Sequence, residues 1–84
     1  MTNARLAQYT AAPGQGASFV ATRRGGFAMI LPLRLSAEAW LSSNADAGAI
    51  WNGDELVVEM RYFPNRAEAI IAAGFLFERN SFPN

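Results

Sequence analysis

A strongly apolar run over 27–35 and period-two alternation over 56–62, together with two stretches that carry helix-start chemistry, predict a small α+β domain. The expected architecture is an antiparallel sheet of four or five strands with two helices. Its 84 residues suit one domain, 1–84, with 79–84 read as a tail.

Residues 5–10 read as a first strand, with Leu6 and Gln8 on one side and Ala7 and Tyr9 on the other. Ala-Ala-Pro-Gly-Gln-Gly at 11–16 is a loop, because Pro13 and two glycines favour turns over a ladder. Ser18 to Thr22 is β-rich, Arg23-Arg24-Gly25-Gly26 signals a turn, and Phe27 to Leu35 is strongly apolar. Together they predict a β-hairpin. In its second arm Phe27, Met29, Leu31, Leu33 and Leu35 share one face, while Ala28, Ile30, Pro32 and Arg34 share the other. A run apolar on both sides fits a doubly packed strand, and Pro32, which cannot donate to a ladder, requires an edge, a bulge or a strand end.

Ser36 offers a hydroxyl to the free amides of a helix predicted over 37–44, with Glu38 near its positive end. Residues 45–54 are mostly loop around Asp46, Gly48 and Asn52-Gly53-Asp54, and the Asn-Gly pair also allows a short strand at 49–51. Leu56, Val58, Met60 and Tyr62 alternate with Val57, Glu59 and Arg61, which predicts a strand over 55–62 beside the hairpin. Asn65 with Glu68 three residues on is a capping-box pattern, so a second helix is expected from Arg66. Its stripe is Ala67, Ile70, Ile71 and Gly74, and Gly74 supplies the stop. Residues 75–79 then read as a last strand, the alternative being a helix that continues to Asn80. With both helices on one face, the second apolar face of 27–35 requires burial in a dimer or beneath a loop.

Composition excludes more than it assigns. The chain is 51% hydrophobic with zero net charge, and so can fill a core. It has no Cys and no His, which removes disulfides, thiolate chemistry, His or Cys metal sites and histidine acid–base catalysis. No start resembles a signal peptide and no apolar run suits a membrane span, so cytoplasmic residence without a membrane partner is the expectation. Charge is uneven along the chain. Residues 1–35 hold four Arg and no acid, whereas 36–84 hold seven acids against three Arg. The halves either interleave in the fold or form a basic and an acidic face.

Arg23 and Arg24 on a projecting turn are the first candidates for partner binding, since forked donors suit carboxylate or phosphate. Arg5 and Arg34 extend them, although zero overall charge argues against nucleic acid as the main partner. Asp54, Glu55 and Glu59 are the second candidates, with Glu55 and Glu59 on one strand face by parity. Paired carboxylates serve hydrolysis or a divalent metal only within a cleft, and pairing with Arg61 is the simpler role. The glycines at 14, 16, 25 and 26 lack the Lys-[Ser/Thr] of a phosphate loop. The expectation is therefore no catalytic residue, no cofactor and no metal, and hence no enzyme. Phe19, Phe27, Trp40, Trp51, Tyr62, Phe63, Phe75 and Phe77 read as core, with Tyr9, Phe82 and the outward face of 75–77 as candidate exposed anchors.

In size, in lack of cofactor ligands and in its α+β pattern with short untagged termini, the chain resembles small phage-encoded proteins that block bacterial defence, the anti-CRISPR proteins above all. The resemblance is one of overall character and carries no residue over. It implies a non-catalytic inhibitor in the cytoplasm of the host cell, a monomer or homodimer, occupying a surface of a large defence complex that otherwise holds nucleic acid. Seven acids make a poor DNA mimic, so a mixed, shape-driven interface is expected. Two other readings stay open: a small nucleic-acid-binding regulator using Arg5, Arg23, Arg24 and Arg34, and a structural or assembly subunit of a phage particle.

Overall fold

Two six-residue strands rich in β-branched and large apolar residues, joined by a two-glycine turn, build the first hairpin, β1 (Phe19–Arg24) and β2 (Phe27–Pro32). In the computed structural model, which describes residues 16–78, α1 (Leu35–Asn44), β3 (Ile50–Asn52), β4 (Glu55–Glu59), a 3₁₀ turn (Met60–Tyr62) and α2 (Phe63–Ala72) follow. The sheet order is β1-β2-β4-β3 with every neighbour antiparallel. The protein is an α+β domain with a four-stranded antiparallel sheet and two helices. Only the first of the two turn residues, Gly25, has positive φ (60°), the type II′ arrangement whose twist matches paired strands.

Register decides which side chains meet. Ala21 opposes Ile30 and Ile30 opposes Leu56, while Ala28 opposes Val58, so these residues share one face. Both helices pack there, adding Ala37 and Leu41 from α1 and Phe63, Ala67 and Ile70 from α2 to a single buried cluster. Of the two faces of β2, the sheet's core side is the one with the smaller residues, Ala28 and Ile30. The larger set, Phe27, Met29 and Leu31, faces away from the helices.

Several boundaries differ from those read in the sequence. The predicted strand at 5–10 and the tail beyond residue 78 lie outside the described residues. The run 27–35 ends as strand at Pro32, where the missing N–H stops the ladder. Helix α1 begins at Leu35, so Ser36 lies inside it, and its N-cap Arg34 makes no side-chain capping bond. The strand expected over 55–62 stops at Glu59. Met60 donates its N–H to the Gly26 carbonyl at 2.9 Å, and beyond this rung β2 has already turned away. Helix α2 starts at Phe63 rather than Arg66, and its N-cap Tyr62 makes no side-chain capping bond. Pro64 in its first turn explains the earlier start, since its φ is preset and its missing N–H is one the helix leaves unbonded anyway.

Gly74 ends α2 as its position suggested, at φ 94°, and the chain then returns to the sheet. Ser18 N–H donates to the Leu76 carbonyl at 2.9 Å and Glu78 N–H donates to the Phe19 carbonyl, giving a parallel bridge between Phe19 and Phe77. Among the described residues the last strand is the bridge at Phe77 beside β1, and helix α2 ends at Ala72 instead of continuing through it. Phe77 is fully buried against Phe19 and Phe63, with ring centroids 6.1 and 5.8 Å apart. Phe75 meets Phe19 edge-on at 5.6 Å and Trp40 at 5.7 Å. This aromatic cluster closes the core under the sheet edge.

Candidate functional site

The β1–β2 register pairs Arg24 with Phe27, and the β2–β4 register pairs Phe27 with Glu59. All three point away from the helices. They form one cross-strand row in which an exposed phenyl ring, 47% accessible, stands between a guanidinium and a carboxylate. The next row is Thr22, Met29, Val57 and Ile50. The third holds Val20 and Leu31, with Asn52 and Glu55 paired beyond them. Among the described residues, neither helix covers this face. Its centre is apolar and largely closed to solvent, with Met29 5% accessible and Val20, Leu31 and Val57 half-buried, so the exposed part of the face is the row of Arg24, Phe27 and Glu59.

The five sequence candidates distribute unequally over it. Arg24, Glu55 and Glu59 lie on the helix-free face, and Glu55 and Glu59 share it as their parity required. Glu59 joins Arg24 at one end of the sheet, whereas Asp54, in the β3–β4 turn, and Glu55, the first residue of β4, sit at the other end. The two carboxylates are therefore not a pair. Glu59 is held by Arg61, Nε to Oε1 3.3 Å, in an exposed contact. Glu55 accepts a hydrogen bond from Asn52 Nδ2 at 3.2 Å. Arg23 points to the opposite side from Arg24, and its Nε donates to the Gly25 carbonyl at 3.0 Å, which ties it to the turn.

Two residues around this end carry no motif that a sequence reading could use. Tyr62 is half exposed, with the Arg61 guanidinium 4.8 Å from its ring centroid. Arg66 on α2 donates to the Asn44 carbonyl at 3.4 Å and stands 3.9 Å from Asp46. Between them runs an open groove of about 720 Å³, lined by Phe27, Ile50, Val57, Tyr62, Arg66 and Ala69 among others. It exists because β3 is three residues long and leaves the end of β4 without a neighbour. Phe27, Trp51 and Tyr62, expected in the core, are instead exposed at 47%, 41% and 50%, because β2 is apolar on both faces and the sequence does not say which of them the helices cover. Which of its two faces stays open depended on where the helices pack.

Among the described residues no group of three or more acids is placed to hold a metal ion, and no helix is long and apolar enough to cross a membrane. The site's chemistry is that of contact: an aromatic anchor, arginines, a carboxylate rim and an apolar floor. Aromatic residues and Arg dominate the binding energy at protein interfaces, and charged rims set orientation. Comparison with protein-family models, curated proteins and solved structures finds no match.

Proposed function

We propose that the protein is a non-catalytic binding protein that occupies the surface of a larger protein assembly through the helix-free face of its sheet. One observation carries this reading: the register sets exposed Phe27 between Arg24 and Glu59 on a face that neither helix covers. An isolated exposed apolar residue needs no explanation, but a ring in line with opposite charges over an apolar floor has the anatomy of an interface. Inhibition of a host defence complex, as anti-CRISPR proteins do it, is the form of this activity that the chain's overall character favours.

Affinity capture from cells that carry the gene tests the reading. Wild type and Asp54→Arg, altered at the far end of the sheet, are expected to retain the same protein, and Phe27→Ala with Arg24→Glu to lose it while keeping the native melting temperature. Equal retention by all three contradicts the assignment of the face. Restored phage plating on a CRISPR-immune host, lost with the same double variant, supports the inhibitory form. A salt-sensitive shift of DNA or RNA, abolished by Arg23→Ala with Arg24→Ala, would instead favour the nucleic-acid regulator.

A further inference from the structure

We infer that Asn52 is a self-modification site: its side-chain amide is hydrolysed in the folded protein, and the aspartate and isoaspartate that replace it loosen β3. Asn52 is the one asparagine of the chain that precedes a glycine. In such a pair the Gly53 backbone nitrogen bonds to Asn52 Cγ and the Cγ–Nδ2 bond breaks. The proton lost by the glycine nitrogen passes through solvent to Nδ2, which leaves as ammonia, and a five-membered succinimide ring remains. One water then opens the ring. Cleavage of its bond to Cγ leaves aspartate, and cleavage of its bond to the backbone carbonyl carbon leaves isoaspartate, in which the chain runs through the side chain. A residue with a Cβ at position 53 would crowd the attacking nitrogen, and glycine has none.

The fold leaves this pair open. Asn52 ends β3, Gly53 and Asp54 form the turn, and all three are exposed. A Cβ built on Gly53 would meet nothing within 4 Å, so the ring and the incoming water have room. The Asn52 amide is tied by its Nδ2 hydrogen bond to Glu55 Oε1, 3.2 Å long and exposed. Water replaces such a bond at little cost. Asn44 and Asn65 differ, since both lie in helices and precede Ala45 and Arg66. Asn44 Nδ2 is further held by the Trp40 carbonyl at 2.8 Å.

Asn52 opposite Glu55 closes the hairpin, one of three residue pairs that join β3 to β4. A carboxylate at 52 only accepts, so the donor to Glu55 is lost and two negative charges face each other across the strands. Isoaspartate also adds a methylene to the backbone, which moves Trp51 and Ile50 out of register with Leu56 and Val57. Ile50 lines the groove beside β4, so the groove changes with the age of the molecule.

Incubation of the full chain in warm, mildly alkaline buffer tests this. Conversion is followed by tandem mass spectrometry, isoaspartate by enzymatic methyl labelling, and β3–β4 pairing by amide hydrogen exchange. Asn52 is expected to convert at least about tenfold faster than Asn44 or Asn65, with isoaspartate in excess. The amides of β3 and of Glu55 to Val57 should exchange faster in converted than in fresh protein. Asn52→Gln, which would need a six-membered ring, should stay unmodified and keep the exchange of fresh protein. Asn52→Asp, which adds the charge without the methylene, should speed exchange less than isoaspartate does. An Asn52 that converts no faster than Asn44 and Asn65 in the folded protein overturns the site. Conversion that leaves exchange at β3 and β4 unchanged overturns its consequence. Neither result touches the capture experiment with Phe27→Ala, so this inference and the contact reading fail separately.

Discussion

Arg24 and Glu59 flank Phe27 in one row across three strands, though 35 positions separate them in the chain. An arginine of the basic first part and a carboxylate of the acidic second part thus share one face of the sheet. Electrostatics at this end of the molecule is local and mixed, which suits orientation of a partner more than long-range attraction of a polyanion.

Two phenylalanines separate stability from binding. Phe77 is fully buried and Phe27 is 47% exposed. Phe77→Ala should cost about 3–5 kcal/mol, most of the stability of a domain this small, and Phe27→Ala less than about 1 kcal/mol. Urea unfolding followed by tryptophan fluorescence measures both.

The first hairpin depends on one backbone conformation. Gly25 has φ 60° with open space where a Cβ would stand, so Gly25→Ala should cost about 1–2 kcal/mol through strain alone. Gly26→Ala, without positive φ, should cost clearly less. Thermal melts of the two variants compare them directly.

Helix α1 lacks a side-chain cap at Arg34, and Ser36 lies within its first turn. Ser36→Ala should therefore shift stability by less than about 0.5 kcal/mol. Arg34→Asp, which supplies an acceptor and a charge that suits the helix dipole, should add about 0.5–1 kcal/mol. A stabilising role for Ser36 would show as a drop in melting temperature in the first variant.

The contact between Glu59 and Arg61 is exposed on both sides. Arg61→Gln should change stability by no more than about 0.5 kcal/mol, with little dependence on salt. Chemical denaturation in low and high NaCl checks this.

The α+β architecture, the hairpin around Gly25-Gly26 and its pairing with the strand at 55 were legible because period-two alternation and glycine turns are local signals. Helix starts were less so. Asn65 and Ser36 are competent caps, but Pro64 starts α2 sooner, and α1 begins directly after β2 ends. The break at Met60 was hidden, because alternation persists through Tyr62 while the ladder ends where β2 turns at Gly26. As for the site, the parity of Glu55 and Glu59 was readable. That they lie at opposite ends, with Arg24 joining only Glu59, depended on long-range register, which no local pattern encodes.

The most direct test of the contact face is site-specific photo-cross-linking. A photoreactive phenylalanine analogue is placed at Phe27, on the helix-free face, and in a second protein at Ser43, exposed on α1. The expected result is cross-linking from position 27 to a larger partner in cells, with none from position 43. Cross-links from position 43 and none from position 27 would contradict the assignment of the helix-free face as the binding surface.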